Sequence, residues 1–136
     1  MPGSLSERGS VDGGQDITLD AKYEFEAEHA FLTGTQALVR APLVQRRRDL
    51  ARGLNTAGYI TGYRGSPVGG YDSALWSAQK FLDQHHIKFQ AGVNEDMAAT
   101  ACWGTQQVGM WQGATMTGCS PTGMVRDPAL TGPAMP

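Results

Sequence analysis

Two stretches of this 136-residue chain carry residues whose types and spacing could do chemistry. The first is Tyr59–Asp72, YITGYRGSPVGGYD, whose glycines let the backbone approach a ligand closely and expose N–H groups to it. It lacks the Lys-Ser/Thr that ends a P-loop, and it lacks the GxGxxG spacing of dinucleotide-binding loops. The stretch is therefore either a ligand-binding loop of unknown type or an ordinary glycine-rich turn.

The second stretch is VNEDMAAT, in which Glu95 follows Asn94, a good helix-capping residue. An acidic side chain in the first turn complements the helix macrodipole whatever else it does. Its place just after a predicted strand also suits a catalytic carboxylate, because loops that follow successive parallel strands open on the same edge of the sheet. We therefore expect Glu95 and the loop Tyr63–Gly70 to face one another across a crevice.

The elements that must position these residues alternate along the chain. Hydrophobic periodicity and capping residues predict three helices, over Thr33–Asn55, Asp72–Gln84 and Asn94–Val108, and two short strands, over Tyr59–Gly62 and Ile87–Gln90. We expect Thr35 to cap the first helix, and Pro42 either to begin its main part or to kink it. This succession predicts half of a doubly wound parallel α/β sheet.

Charge argues against nucleic acid and membranes as partners. The net charge is −2 and no run of about 18 apolar residues is present, and because the first residues lack an apolar stretch we expect no signal peptide. One helix carries a cluster of arginines, which we interpret as the solvated face of an amphipathic helix rather than a basic patch: Arg46, Arg47, Arg48 and Arg52.

The two cysteines, Cys102 and Cys119, stand apart without a CxxC spacing. They indicate no disulfide framework, zinc site or iron–sulfur ligand set, which fits a reducing cytoplasm. Cys102 lies among small residues, and we interpret it as a buried hydrophobe rather than a nucleophile. The stretch Met1–Asp16 is rich in Gly and Ser with almost nothing apolar, which predicts a disordered leader.

Several longer motifs follow one another between Leu19 and about Gly118: GTQALVR, QRRRDLA, GLNTAG, GYRGSP-GGYD, HHI-F and GVNED-AAT. In this run the chain closely resembles the N-terminal region of the fused indolepyruvate ferredoxin oxidoreductases, which are thiamine-pyrophosphate-dependent 2-oxoacid:ferredoxin oxidoreductases. The resemblance implies that residues 17–118 are part of the domain that binds the aminopyrimidine of thiamine pyrophosphate. The α/β sheet would then be a truncated, partial doubly wound sheet.

The resemblance also implies roles for single residues. Glu95, at the NED position, would hydrogen-bond the pyrimidine and favour the tautomer that makes the ylid, the electron sink of the cofactor. Ser66 would lie near the substrate carboxylate, Arg64 would help to neutralise it, and the backbone of Gly65 would face the cofactor. The implied reaction is the oxidative decarboxylation of an aryl 2-oxoacid with coenzyme A and ferredoxin, in a homo-oligomeric parent enzyme.

Parts of the family's machinery do not occur in these residues. The diphosphate-binding GDG motif, the site for magnesium and the clustered cysteines for iron–sulfur clusters are missing, so we expect this fragment alone to be inactive. Residues 119–136 leave the family's pattern, which continues VFGMWYGKGPGVDRSGD. Read in the frame that starts one base earlier, codons allowed for this tail recover that run almost whole. We hypothesise an out-of-frame tail, from a sequencing error or a broken gene, and expect it to be unstructured.

Two other interpretations of this chain remain open besides that of an enzyme fragment. The glycine-rich loop could serve a non-enzymatic module that holds a phosphate or a partner domain, or the chain could be a gene remnant without a role. Reading frame downstream that encodes GDG and CxxC motifs would favour the enzyme. Because the expected sheet lacks strands beside those predicted, we also expect a marginally folded or aggregation-prone chain.

Overall fold

The computed structural model describes residues 20–25, 30–63 and 69–124. The predicted leader, Met1–Asp16, lies outside these residues, as do Arg64, Gly65 and Ser66. The described elements are α1 (Gly34–Ala51), β1 (Thr56–Gly62), α2 (Tyr71–Ser77), α3 (Gln79–Gln84), β2 (Ile87–Ala91), α4 (Glu95–Thr105), a 3₁₀ turn (Val108–Met110) and β3 (Gly118–Met124). The α/β class is confirmed.

The three strands form one open parallel sheet in the order β2-β1-β3. Ile60 in the central strand lies opposite Phe89 on one side and Thr122 on the other. This order equals the first three positions of the doubly wound order 2-1-3-4-5. Because the chain crosses from β1 to β2 in one direction and from β2 to β3 in the other, right-handed connections put the intervening helices on opposite faces of the sheet.

The hydrophobic core lies on the face covered by α1, α2 and α3. Ten buried residues form it: Tyr23, Val39, Leu43, Ile60, Tyr71, Leu75, Ala78, Phe81, Leu82 and Ile87. The layer that covers the other face of the sheet is thinner. There α4 contacts β1 and β3, and Ala98 is the buried residue of that helix.

The residue that caps the start of α1 differs from the prediction. Thr33, not Thr35, is the cap, and its hydroxyl accepts the N–H of Gln36 while the side chain of Gln36 accepts the N–H of Thr33. This reciprocal capping box satisfies two N–H groups at once, which a cap at Thr35 would not. The helix continues through Pro42 without a break.

The expectation of an unstructured tail from Cys119 is wrong for its first residues. β3 pairs with β1 over Gly118–Met124, and Asn55 holds its start by accepting the N–H of Thr117 (2.8 Å) and donating its own N–H to the Thr117 hydroxyl (3.1 Å). Parallel pairing uses backbone groups, so it needs no hydrophobic alternation, and Pro121 is tolerated because β3 is an edge strand of the described sheet. Residues 125–136 lie outside the described residues.

β1 therefore has a partner strand on both sides, contrary to the expectation that strands beside it are lacking, whereas β2 pairs with β1 alone among the described residues. The expectation of a marginally folded chain stays a prediction. The feature of the structure that supports it is the single buried residue, Ala98, with which α4 covers its face of the sheet.

Candidate functional site

The carboxyl ends of β1 and β2 meet at one edge of the sheet, as the sequence predicts for parallel neighbours. The N–H of Gly92, just after β2, donates to the carbonyl of Gly62, the last residue of β1 (2.8 Å). A Cβ at position 92 would lie 3.2 Å from the Cβ of Ala98 and 3.4 Å from the Gly62 oxygen. Glycine at this position lets α4 begin close against the end of β1.

Glu95 is the first residue of α4 at this edge, and it is half-buried. Asn94 is the cap, as predicted, and its side-chain oxygen accepts the N–H of Met97 (2.8 Å). The side chains of Glu95 and of its exposed neighbour Asp96 lie at the positive end of the helix dipole, which complements negative charge. The arrangement offers one half-buried carboxyl group beside the ends of two strands, which can accept a hydrogen bond from a polar ring when ionised or donate one to it when protonated.

The glycine-rich loop is described at its two ends. Arg64, Gly65 and Ser66, which we expect to face Glu95, lie outside the described residues. On the far side of the loop, Gly70 has a left-handed φ of 80° where α2 begins, a conformation that glycine adopts without strain.

Tyr71 anchors the end of this loop, a role that the sequence analysis did not predict. Its side chain is 3 % exposed, and its hydroxyl donates to the carbonyl of Leu38 in α1 (3.3 Å). Leu38 lies four residues before Pro42, so its carbonyl is the one that loses a helical donor because proline has no N–H. Burial raises the pKa of the Tyr71 phenol, which keeps the hydroxyl protonated as a donor. Pro42 within a predicted helix signals that the carbonyl four residues earlier lacks a helical donor, but no local pattern identifies Tyr71 as the group that supplies one.

Arg46 does not lie on a solvated face, contrary to the prediction, although Arg47, Arg48 and Arg52 are exposed. It is 5 % exposed, and its two terminal nitrogens donate to the Asn55 side chain (2.7 Å) and to the carbonyl of Thr56. Its Nε has no hydrogen-bond partner among the residues that the structure describes.

The Arg46 contacts belong to a larger polar network at the amino ends of the strands. Thr56 donates to the buried carboxylate of Asp49 (2.6 Å), and the Asn55 amide donates to the carbonyl of Thr115 (3.2 Å). The network joins the end of α1 to the starts of β1 and β3. It is a structural junction, at the edge of the sheet opposite Glu95.

Both cysteines are half-buried between α4 and β3. Burial raises the pKa of the Cys102 thiol, and the neighbouring Cys119 raises it further. Burial also raises the pKa of the Cys119 thiol, against a smaller opposing effect of a hydrogen bond from Thr105. Raised pKa values leave little thiolate at neutral pH, in agreement with the interpretation that Cys102 is not a nucleophile.

Two open clefts lie near the amino ends of the strands, away from Glu95. One, of about 390 Å³, is lined by Leu75, Trp76 and Phe89 among others. The other, of about 450 Å³, lies between β1, the 3₁₀ turn and the loop before β3. Within the described ranges no group of three or more His, Cys, Asp or Glu side chains could hold a metal ion. None of the described helices combines the length and apolar character that a bilayer crossing requires.

Comparison with known proteins adds no identification: no protein-family model, curated protein or solved structure matches this chain.

Proposed function

We propose that this chain is the first part of the pyrimidine-binding domain of a thiamine-pyrophosphate-dependent 2-oxoacid:ferredoxin oxidoreductase of the indolepyruvate type. The observation that carries the proposal is the position of Glu95. It is the half-buried first residue of α4, directly after β2, where Gly92 joins the end of β2 to the end of β1. A carboxylate at the carboxyl edge of a parallel sheet suits ligand binding, since ligands of open α/β sheets bind there.

The residues present fit the pyrimidine half of the cofactor. Glu95 would hydrogen-bond a ring nitrogen, and the glycine close approach at position 92 keeps the helix start near the strand ends. When bound, thiamine pyrophosphate supplies the electron sink for decarboxylation. No described group of His, Cys, Asp or Glu fits the magnesium that accompanies the diphosphate, or an iron–sulfur cluster. The proposal assigns these sites to other parts of the parent enzyme, together with coenzyme A and ferredoxin binding.

The substrate contacts proposed for Ser66, Arg64 and the backbone of Gly65 rest on the resemblance of the GYRGSP motif alone. Together with Glu95 they would form the proposed site. The cytoplasmic location and the inactivity of this fragment by itself belong to the same proposal. The out-of-frame origin of the tail does so as well, and sequencing of the DNA around the Gly118 codon tests it.

Titration with 4-amino-5-hydroxymethyl-2-methylpyrimidine, followed by ¹⁵N–¹H NMR of the labelled chain, tests the role of Glu95. We expect amide shifts centred on Gly62, Gly92 and Glu95 that are lost in Glu95→Ala and kept in Asp96→Ala. The second variant is a matched control, because it removes the adjacent exposed carboxylate from the same helix turn.

Two outcomes would contradict the proposal. Shifts that persist in Glu95→Ala would show that the carboxylate does not hold the ring. A response to inorganic phosphate at Gly69 and Gly70, without a response to the pyrimidine, would favour the non-enzymatic phosphate-binding module.

A further inference from the structure

β2 is an edge strand whose outer backbone groups can be identified residue by residue. Among the described residues it pairs with β1 alone. The carbonyl of His86 accepts the N–H of Gly58 (3.0 Å), and the N–H of Gly92 donates to Gly62 (2.8 Å). Because alternate residues of a strand point their backbone groups to the same side, even-numbered residues from 86 to 92 face β1. Ile87, Phe89 and Ala91 therefore present their N–H and C=O groups outward.

The side chains of this strand separate the two faces of the sheet. Ile87 is buried in the core, and Phe89 packs edge-on against Trp76 with ring centroids 5.3 Å apart. Trp76 is still 52 % exposed, so this aromatic pair has an open side. Lys88 is exposed on the opposite face, as is Gln90.

We propose that the outer edge of β2 pairs antiparallel with β2 of a second copy of this chain, about a two-fold axis at Phe89. In this register Phe89 lies opposite Phe89 of the second copy, and Ile87 lies opposite Ala91. Every outward N–H and C=O of the three residues then has a partner, because residues with outward groups lie opposite each other in hydrogen-bonded pairs. The pairing joins two three-stranded sheets into one of six strands.

Charge and side-chain chemistry favour this register of the two copies over other registers. Lys88 lies opposite Gln90 of the second copy, whereas a shift of one residue would centre the axis on Lys88 and set two ammonium groups against each other. The central Phe89 pair is a cross-strand aromatic contact, and it covers the open side of Trp76. The other edge of the described sheet is less suited to pairing, since β3 contains Pro121.

Sedimentation of the full 136-residue chain over a range of concentrations tests the proposal. We expect the mass to rise from 14.5 kDa to twice that value and no further, because a two-fold pair is closed. Gln90→Lys puts like charges opposite each other at two symmetric positions and should weaken dimerisation about fivefold, while Gln90→Glu should strengthen it by a similar factor. Gln90 is exposed, so neither change disturbs the core.

The matched controls are Gln112→Lys and Gln112→Glu, which make the same charge changes at an exposed position in the turn before β3. Circular dichroism verifies that each variant is folded as the parent chain is. A chain that stays monomeric, an assembly that grows beyond two copies, or Gln90 variants that behave as the Gln112 variants do would each overturn the proposal.

Discussion

The hydrogen bond from Tyr71 to Leu38 predicts a specific coupling between two positions that do not contact the candidate carboxylate. Pro42 removes the N–H that would serve the Leu38 carbonyl, and the Tyr71 hydroxyl supplies a donor instead, at 3.3 Å. Tyr71→Phe therefore leaves a partly buried carbonyl without a donor. We expect this change to cost about 1 kcal/mol, within the range of about 0.5–1.5 kcal/mol for a single neutral hydrogen bond.

Pro42→Ala restores the missing N–H and relieves the clash that proline makes inside a helix. It should stabilise the chain by up to about 3 kcal/mol, the difference in helix propensity between the two residues. In this background the Leu38 carbonyl has a helical donor, so Tyr71→Phe should cost close to nothing. The coupling energy between positions 42 and 71 should then be about 1 kcal/mol.

Urea unfolding of the four chains of this cycle, followed by circular dichroism, measures the coupling. A stabilising osmolyte at one fixed concentration keeps all four transitions in range. Tyr23→Phe is the control, because it removes a hydroxyl from another buried tyrosine and should cost the same in both backgrounds. An equal cost of Tyr71→Phe with proline or alanine at position 42 would refute the reasoning.

Three further predictions follow from burial and close contacts. Gly58→Ala places a Cβ 2.8 Å from Cγ1 of Ile87 and should cost about 1–3 kcal/mol by overpacking, whereas Gly118→Ala meets no atom of the described residues within 4 Å and should be nearly neutral, as measured by urea midpoints. Arg46→Ala should cost about 1–3 kcal/mol, since it leaves part-buried acceptors unpaired, while Arg52→Ala at an exposed position should stay within about 0.5 kcal/mol; equal losses would contradict a structural role for the buried guanidinium. Both cysteine thiols have a pKa raised above 9.0, so the folded state holds their protons longer than the unfolded state does. The stability that the protonated thiols contribute is fully present below the pKa of the unfolded state and is lost as pH rises through the pKa of the folded state. The free energy of unfolding should therefore fall above pH 9, and replacing both cysteines by serine should flatten that fall.

Local signals in the sequence were sufficient to locate α1, β1, β2 and α4 and to place Glu95 at the start of α4. Asn94 followed by two acidic residues predicts a helix start after a strand, and α4 begins there. The capping box was equally visible in the sequence, because Gln36 follows Thr33 by three positions. The predicted cap, Thr35, is followed at that spacing by Leu38, which cannot return a hydrogen bond. The predicted helix over Asp72–Gln84 is two helices, which meet at Ala78, and no proline or glycine signals that break.

By itself the sequence determined the order of α1, β1, β2 and α4, the parallel pairing of β1 with β2 and the strand end at which Glu95 lies, because these follow from periodicity, capping and the handedness of crossovers. Only the tertiary structure decided which of four similar arginines is buried, since burial of Arg46 depends on acceptors supplied by Asn55 and Thr56. It also decided that residues 118–124 form a strand, because backbone pairing with β1 leaves no trace in the side-chain pattern. Contacts distant in sequence fixed both outcomes, and a local pattern carries no record of the partner that makes such a contact.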